Sequence, residues 1–334
     1  MSSLTDWRKL HGGNFDRQAV LVTGGAGFIG SHLAAALHEL GADVTVLDDL
    51  SGGGDPAALP KAVHFVKGSI LDQPLLQKCT EGRRLVFHQA ALGSVPRSIE
   101  QPRLYHDVNA VGTLCVLESA RLAGVRRVMF AASSSAYGDS PTLPKIETMP
   151  TSPRSPYAAT KVAGEALLAA YAVSLNLDTV SLRYFNIFGP RQSADNAYAA
   201  VIAAFAKAML SGKRPTIFGD GQQSRDFTYV DNVVHANLLA ASHPQPLGGA
   251  IINIACGGRI SVNQLAREMA QWLRRTDLTP IYAAERAGDV KHSLADLSLA
   301  QSTLGYAPIV DFVSGLDATM QWYRSALAAH TQSK

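Results

Sequence analysis

Cysteine is scarce in this chain, and what there is does not cluster. Cys79, Cys115 and Cys256 are the 3 in 334 residues, with no C-x-x-C pair and no histidine at metal-ligand spacing beside them. That pattern argues against a structural zinc and for a reducing compartment. An excess of one charge is missing too. The 30 Lys and Arg face 27 Asp and Glu, leaving a net charge of +3, too small and too scattered for a nucleic-acid-binding surface. It still suits an anionic nucleotide substrate. No apolar run approaches the ~20 residues of a membrane span. Near the N-terminus, Trp7, Arg8, Lys9 and His11 interrupt any stretch that could act as a secretory signal. Internal repeats and low-complexity tracts are absent as well. These absences predict a soluble cytoplasmic protein that holds no metal and engages neither membrane nor nucleic acid.

What is present is alternation. Candidate strands at 19–23, 43–48, 63–66, 84–88, 126–131 and 178–183 alternate with candidate helices at 28–40, 72–79, 103–124 and 156–175. Alternation of this kind predicts an α/β fold with a doubly wound parallel sheet. Residues 1–17 are polar and form either a short helix packed outside the sheet or a loose arm. The second half reads differently, with short regular pieces between Gly-rich polar loops such as FGDGQQSRDF and ACGGR. Binding groups favour such loops, so a smaller mixed α/β substrate-binding domain is expected over the carboxyl ends of the strands. The segment near 228–255 looks regular enough to belong to the larger domain.

The first strand runs into TGGAGFIGSH. Gly24, Gly27 and Gly30 give the tight turn, the close backbone approach to a pyrophosphate and the close helix–strand packing of a dinucleotide-binding Rossmann turn. Phe28 and Ile29 then open a helix whose N–H groups and dipole face the phosphates. The next strand ends in Asp48 and Asp49. Asp48 lies about 20 residues past the turn, where a carboxylate accepts ribose hydroxyls and repels a 2′-phosphate, favouring NAD over NADP.

Tyr157 and Lys161 stand four apart in SPYAATK, one above the other on a helix face. A tyrosine ordinarily titrates near pH ~10. An ammonium beside it favours the phenolate and brings it toward use as a base at neutral pH.

With the motifs HQAALGSVPRS, AASSSAYGD, LRYFNIFGPRQ, DGQQSRDFTYVDN and AGDVKHSLAD in order, nearly the whole chain resembles the extended short-chain dehydrogenases/reductases. Within them it is most similar to the NAD-dependent nucleotide-sugar epimerases, in particular the UDP-N-acetylglucosamine 4-epimerases of bacterial surface-polysaccharide pathways. The resemblance implies a tightly bound NAD that stores the C4 hydride while Tyr157 takes the O4 proton. It implies that Lys161 holds the nicotinamide ribose and that Ser133 or Ser134 bonds O4. Family members that dehydrate or decarboxylate their sugars carry acidic residues where this chain has Ser134 and Ser135, and serines are unsuited to general acid work.

By the same resemblance Ser69 and Ile70 face the adenine, with Ser69 replacing the usual Asp. Gln89, Ala90 and Ala91 underlie the nicotinamide half, and Asn109 and Tyr184 touch or support the cofactor. Arg225 and Arg286 are implied for the pyrophosphate, where a planar fork gives paired bonds, and Asp289 for the uridine ribose. Asn186, Ala200, Val201, Arg259 and Ser94 complete the implied sugar-nucleotide contacts. Ser293 and Gly93 are small where some relatives are bulky, leaving room for an N-acetyl group. The implied domains are 1–185 plus about 228–258 for NAD, and about 186–227 plus 259–334 for the nucleotide sugar. Helices 103–124 and 156–175 are apolar on more than one side. Either one chain buries them, or a homodimer does through a four-helix bundle, as is common in the family.

Overall fold

The computed structural model describes residues 4–194, 200–285 and 291–332. One sheet holds β1 Ala19–Thr23, β2 Asp43–Asp48, β3 His64–Lys67, β4 Leu85–His88, β5 Arg127–Ser133, β6 Asp178–Tyr184 and β7 Ala250–Ile254. Their order is β7-β6-β5-β4-β1-β2-β3, and every neighbouring pair is parallel. The chain winds outward from β1 through β2 to β3, then returns to β4 on the other side of β1. Ligands bind at such a reversal in open α/β sheets. β4 is buried throughout, as a strand covered on both faces should be, which is why its sequence is a continuous apolar run. The doubly wound sheet expected from the alternation is present, with the first two strands as expected and ends of the others moved by one or two residues.

Two helices set the site. Pro156–Leu175 begins where Ser155 Oγ accepts the Ala158 N–H at 3.1 Å and proline takes the first turn, and it ends on Asn176 in the left-handed conformation. It is long and apolar enough to cross a membrane by length and composition, which corrects the reading that no such run exists. Lys161 and Glu165 interrupt the run in sequence, and both sit on its buried face with Leu168 and Tyr171. The helix packs that face on β5 and β6, the position of a core helix.

The helix expected over 103–124 is divided. A short turn Pro102–Tyr105 leads into a π-turn, His106–Val111, and then the α-helix Gly112–Leu122. The widened turn presents Asn109, whose amide accepts from Leu92 N at 2.8 Å and donates to Leu92 O and Thr160 Oγ1, both at 3.1 Å. Thr113 Oγ1 donates to the Asn109 carbonyl at 2.6 Å. Single π-turns of this kind cluster at functional sites.

The N-terminal segment takes the helical option. Trp7–His11 is a helix with Trp7 and His11 buried, and His11 Nε2 lies 2.8 Å from His235 Nδ1. A second apolar core lies apart from the sheet. It is built by the helices Val201–Leu210, Val262–Trp272 and Phe312–Gln332 around Phe188, Phe205, Ile217, Met269 and Met320. The helix Val230–Ser242 contributes Val233, Val234 and Leu238 to the sheet's core, beside Ile252 of β7 and Leu304 of the helix Ser298–Leu304.

Candidate active site

The carboxyl ends of the strands place Thr23, Asp48, His88, Ser133 and Tyr184 along one edge of the sheet. A cleft of about 300 Å³ opens there. Gly24, Gly27, Phe28, Ile29, Gly30, Asp48, Asp49, Ile70, Gln89, Ala90, Ala91, Gly93, Tyr157, Lys161 and Tyr184 line it. Two glycines of the turn admit no side chain. Gly24 has φ +68°, and a Cβ there would lie 2.6 Å from the Ala90 backbone; one on Gly30 would lie 2.2 Å from the Gly24 carbonyl oxygen. The helix Phe28–Glu39 starts from Gly27 with no side-chain cap, so its first N–H groups face the cleft. This cradle fits a pyrophosphate.

Asp48 does more than the sequence implied. One carboxylate oxygen accepts the Ala26 N–H at 2.9 Å and the other accepts the Leu50 N–H at 2.8 Å. It therefore fixes the glycine turn and the following loop, and a carboxylate has acceptor capacity left for ribose hydroxyls. Asp49 Oδ1 accepts from Ser51 N and Oγ at 2.9 and 2.5 Å. Ser69 does not line the cleft; its hydroxyl accepts the Leu71 N–H at 3.2 Å. Asn109 stands behind the wall, bonded to Leu92 as described, in the supporting position.

The helix brings Tyr157 and Lys161 to the cleft, and the Ser133 hydroxyl lies near enough to the phenol to favour its ionised form. Ser133 Oγ also takes the Ser135 N–H at 3.2 Å and the Ser135 hydroxyl at 2.8 Å. Ser134 begins the following short turn. The Lys161 ammonium donates to the Ala131 carbonyl at 2.8 Å and lies 4.8 Å from the Phe130 ring centre. Electrostatically the pair departs from expectation. Burial pushes the Tyr157 phenol above its ordinary value, and the Ser133 hydroxyl opposes that rise. Burial also pulls Lys161 down to about 7, against Glu165, which raises it. The predicted lowering of the phenol by the ammonium is not found: burial dominates, and the groups acting on Tyr157 are Ser133 and Tyr105, not Lys161. The oxidised nicotinamide carries a positive charge, and a cation in the cleft favours the phenolate.

Three supporting residues escaped the sequence reading. Asn237 Nδ2 donates to Tyr184 Oη at 2.8 Å, and Gln89 Nε2 reaches the same oxygen at 3.2 Å. Burial pushes Tyr184 up to about 12, so it stays a neutral phenol. His88 bridges Thr23 Oγ1 at 2.8 Å and Thr113 Oγ1 at 3.0 Å, tying the glycine-turn strand to the helix that follows the π-turn. Burial, helped by the Lys161 charge, lowers His88 to about 3 and keeps it neutral. The third, Thr160, takes the Asn109 amide. The signal was there for two of them, an asparagine inside an apolar helix and a histidine ending an apolar strand.

A larger cavity of about 570 Å³ lies in the second region, and Asn186, Ala200, Val201 and Arg225 line it together. Asn186 is held at φ +43°, and its amide donates to Asp226 O at 3.1 Å and to Ser293 Oγ at 3.2 Å. Ser293 is thereby joined to the sugar-side group. Arg225 donates to the Ser224 and Lys291 carbonyls at 3.2 and 3.1 Å. Ser94 caps the helix Val95–Glu100 through the Arg97 N–H. Arg259 is exposed and lines neither cavity. Arg286 and Asp289 lie outside the described residues. Asp226 anchors the region to the sheet, accepting from Cys256 N at 3.0 Å, Gly257 N at 3.1 Å and Ala295 N at 3.2 Å.

A doubly wound sheet with a glycine cradle at its reversal, and a Tyr and Lys one helical turn apart in the same cleft, defines an enzyme of the short-chain dehydrogenase/reductase type. The chain belongs to the NAD-dependent epimerase/dehydratase family, whose model matches residues 20–255. It is an isomerase of the epimerase kind, and its cofactor is NAD. It is 40% identical to a UDP-glucose 4-epimerase of Mycolicibacterium smegmatis over 91% of this chain and 98% of that protein. A UDP-N-acetylglucosamine 4-epimerase from Methanobrevibacter ruminantium, solved with UDP-N-acetylmuramic acid, is similar at a TM-score of 0.89 and 38% identity, covering 93% of this chain and 100% of that one. The Thermus thermophilus UDP-glucose 4-epimerase in complex with NAD gives a TM-score of 0.84 at 35% identity, covering 92% and 100%.

Proposed function

We propose that the protein interconverts UDP-GlcNAc and UDP-GalNAc, and also accepts UDP-Glc and UDP-Gal, by epimerisation at C4 through a transient 4-keto sugar. The observation that carries this reading is that Tyr157 and Lys161 line one cleft with the glycine cradle, with the Ser133 hydroxyl acting on the phenol. NAD, when bound, supplies a hydride acceptor able to return what it takes. Tyr157 removes the O4 proton as C4 is oxidised and returns it on reduction. Ser133 orients O4, with Ser134 as its neighbour on the same turn. Lys161 holds the cofactor ribose and supplies positive charge near the phenolate. Ser134 and Ser135 offer no acid for expelling water, which leaves oxidation and reduction at one carbon. Tyr184, neutral and braced by Gln89 and Asn237, keeps the far wall of the cleft fixed.

The N-acetyl preference rests on size. Ser293, beside Asn186, leaves volume that a bulky aromatic would fill. Asn186, Ala200, Val201 and Arg225 would hold the nucleotide, and Arg286 and Asp289 belong to the same proposal. The division into an NAD domain (1–185 plus about 228–258) and a nucleotide-sugar domain (about 186–227 plus 259–334), a cytoplasmic setting and a role in surface-polysaccharide synthesis are parts of it too. So is a homodimer. Val111 and Leu114 are exposed on the helices facing Pro156–Leu175, and an apolar groove with Ala163 and Ala166 runs between them. A four-helix bundle would bury it.

Incubating the pure protein with UDP-GlcNAc and no added NAD should yield the 4-epimer by NMR, without net NADH release. Clearly faster turnover of UDP-Glc than of UDP-GlcNAc would overturn the substrate preference. Light scattering that finds monomer alone would remove the dimer.

A further inference from the structure

Glu165 stands one helical turn beyond Lys161, just as Lys161 stands one turn beyond Tyr157, and both Lys161 and Glu165 are on the buried face of the helix. Glu165 is 2% exposed, and it accepts from Arg183 Nε and Nη2, each at 2.7 Å. Such a fork fixes the carboxylate in one orientation. Arg183, on β6, lies 4.6 Å from the Tyr137 ring centre. The Tyr137 hydroxyl in turn donates to Asn253 Oδ1 of β7 at 2.7 Å. A buried polar chain therefore runs from the Tyr–Lys helix across the sheet. A fully buried ion pair is weak evidence of stability, since apolar residues of the same volume often serve as well. Its place beside Lys161 gives it another reason to exist.

The groups around Lys161 come from four elements. The Ala131 carbonyl and the Phe130 ring face it from β5, and His88 from β4. On its own helix stand Tyr157 and Glu165, and β6 carries Arg183 and Tyr184. Among the described residues Glu165 is the anion acting on Lys161. We propose that Glu165, locked by Arg183, is a positioning residue that keeps Lys161 charged at working pH. The proposal rests on the reading of Lys161 as the cofactor-ribose and phenolate partner given above. Burial drives Lys161 down to about 7, and Glu165 opposes a further fall.

The test is the pH dependence of two readouts, epimerase turnover and the retention of bound NADH followed by its fluorescence, the second needing no sugar. In Glu165→Gln the alkaline limb of both should move to lower pH by about one unit. Glu165→Asp, which keeps the charge, should stay near the wild type. Because Glu165→Gln leaves Arg183 buried and unpaired, the double variant Glu165→Gln/Arg183→Met serves if the single variant fails to fold, and its limbs should fall between those of wild type and Glu165→Gln or match the latter. Activity lowered equally at all pH values with unmoved limbs would mean a merely structural pair and overturn the proposal, as would unchanged behaviour in both variants. If the wild type fails to epimerise but the NADH limb still moves, the substrate reading falls and this one stands.

Discussion

The cleft at the sheet edge is assembled from strand ends. Thr23, Asp48, His88, Ser133 and Tyr184 belong to five strands held in one parallel register, so each is positioned by a ladder of backbone hydrogen bonds. The cavity of the second region is assembled from loops and short ladders. Asn186 sits at a positive φ after β6, Ala200 precedes a helix, Arg225 belongs to a two-residue strand and the Ser293 N–H donates to the Ser224 carbonyl. Under the proposed function this difference separates chemistry from selection. A half that moves hydride and proton would need fixed distances, which rigid elements provide, and a half that chooses a sugar could vary by side-chain size on loops without disturbing the first.

If that division is right, damage to the cleft should abolish chemistry and damage to the cavity should shift substrate preference. The largest effect is expected from Tyr157→Phe, which removes the proton acceptor and leaves the cradle intact. Turnover should fall by roughly 10²–10⁴-fold, with NAD still bound after purification. A variant that keeps full activity would mean that the base lies elsewhere. Next comes Gly30→Ala. Its new methyl meets the Gly24 carbonyl at 2.2 Å and the Gly25 Cα at 2.7 Å, backbone atoms that cannot simply rotate aside. Purified protein should carry little NAD by absorbance, and activity should return only in part when NAD is added.

Breaking the join between the regions should cost stability more than chemistry. Asp226→Ala leaves the N–H groups of Cys256, Gly257 and Ala295 without their acceptor. An orphaned buried donor costs about 1–3 kcal/mol, so urea unfolding should show a loss on the order of 3 kcal/mol. An unchanged midpoint would show that Asp226 does not hold the two regions together. Ser293→Tyr sharpens the comparison from the other side. It should lower kcat/KM for UDP-GlcNAc by about tenfold or more relative to UDP-Glc, the scale of discrimination a pocket wall gives. Equal losses on both sugars would put Ser293 outside the selecting wall.

The two regions also differ in how far they could be read in advance. Strand, glycine turn and helix follow from local rules, because a buried parallel strand must be apolar and a turn against a pyrophosphate must be glycine. The cleft was accordingly legible, down to Gly24, Gly30, Asp48 and Lys161 lying together. What stayed hidden was anything decided by partners far along the chain. His88 gains its role from Thr113, Tyr184 from Asn237, and Glu165 from Arg183 on another element. The π-turn at 106–111 likewise answers to Leu92 and Thr160, which no helical periodicity contains. Arg259, read from a glycine pair before an arginine, lies exposed outside both cavities, so the geometry adds nothing to that reading.

The last prediction concerns pH, where the two regions pull in opposite directions and the effect at neutrality is smallest. His88, His32 and His235, all on the sheet side, are lowered by burial to about 3, 4 and 4. Unfolded, they would take protons below pH ~6.5 that the folded protein refuses. Their contribution therefore weakens stability as pH falls from there toward 4. Asp226, at the join, is raised by burial to about 6 against its hydrogen bonds. Folded, it keeps a proton that the unfolded chain has released above pH ~3.9, so its contribution is lost as pH rises through 6. Near pH 5 these four groups together should take up about two protons on unfolding. Stability should thus climb with pH between 4 and 6, and the climb should steepen in Asp226→Ala, which removes the opposing group. Urea midpoints measured across that range check both slopes; a flat profile in the wild type would mean that the buried histidines are already charged in the folded protein.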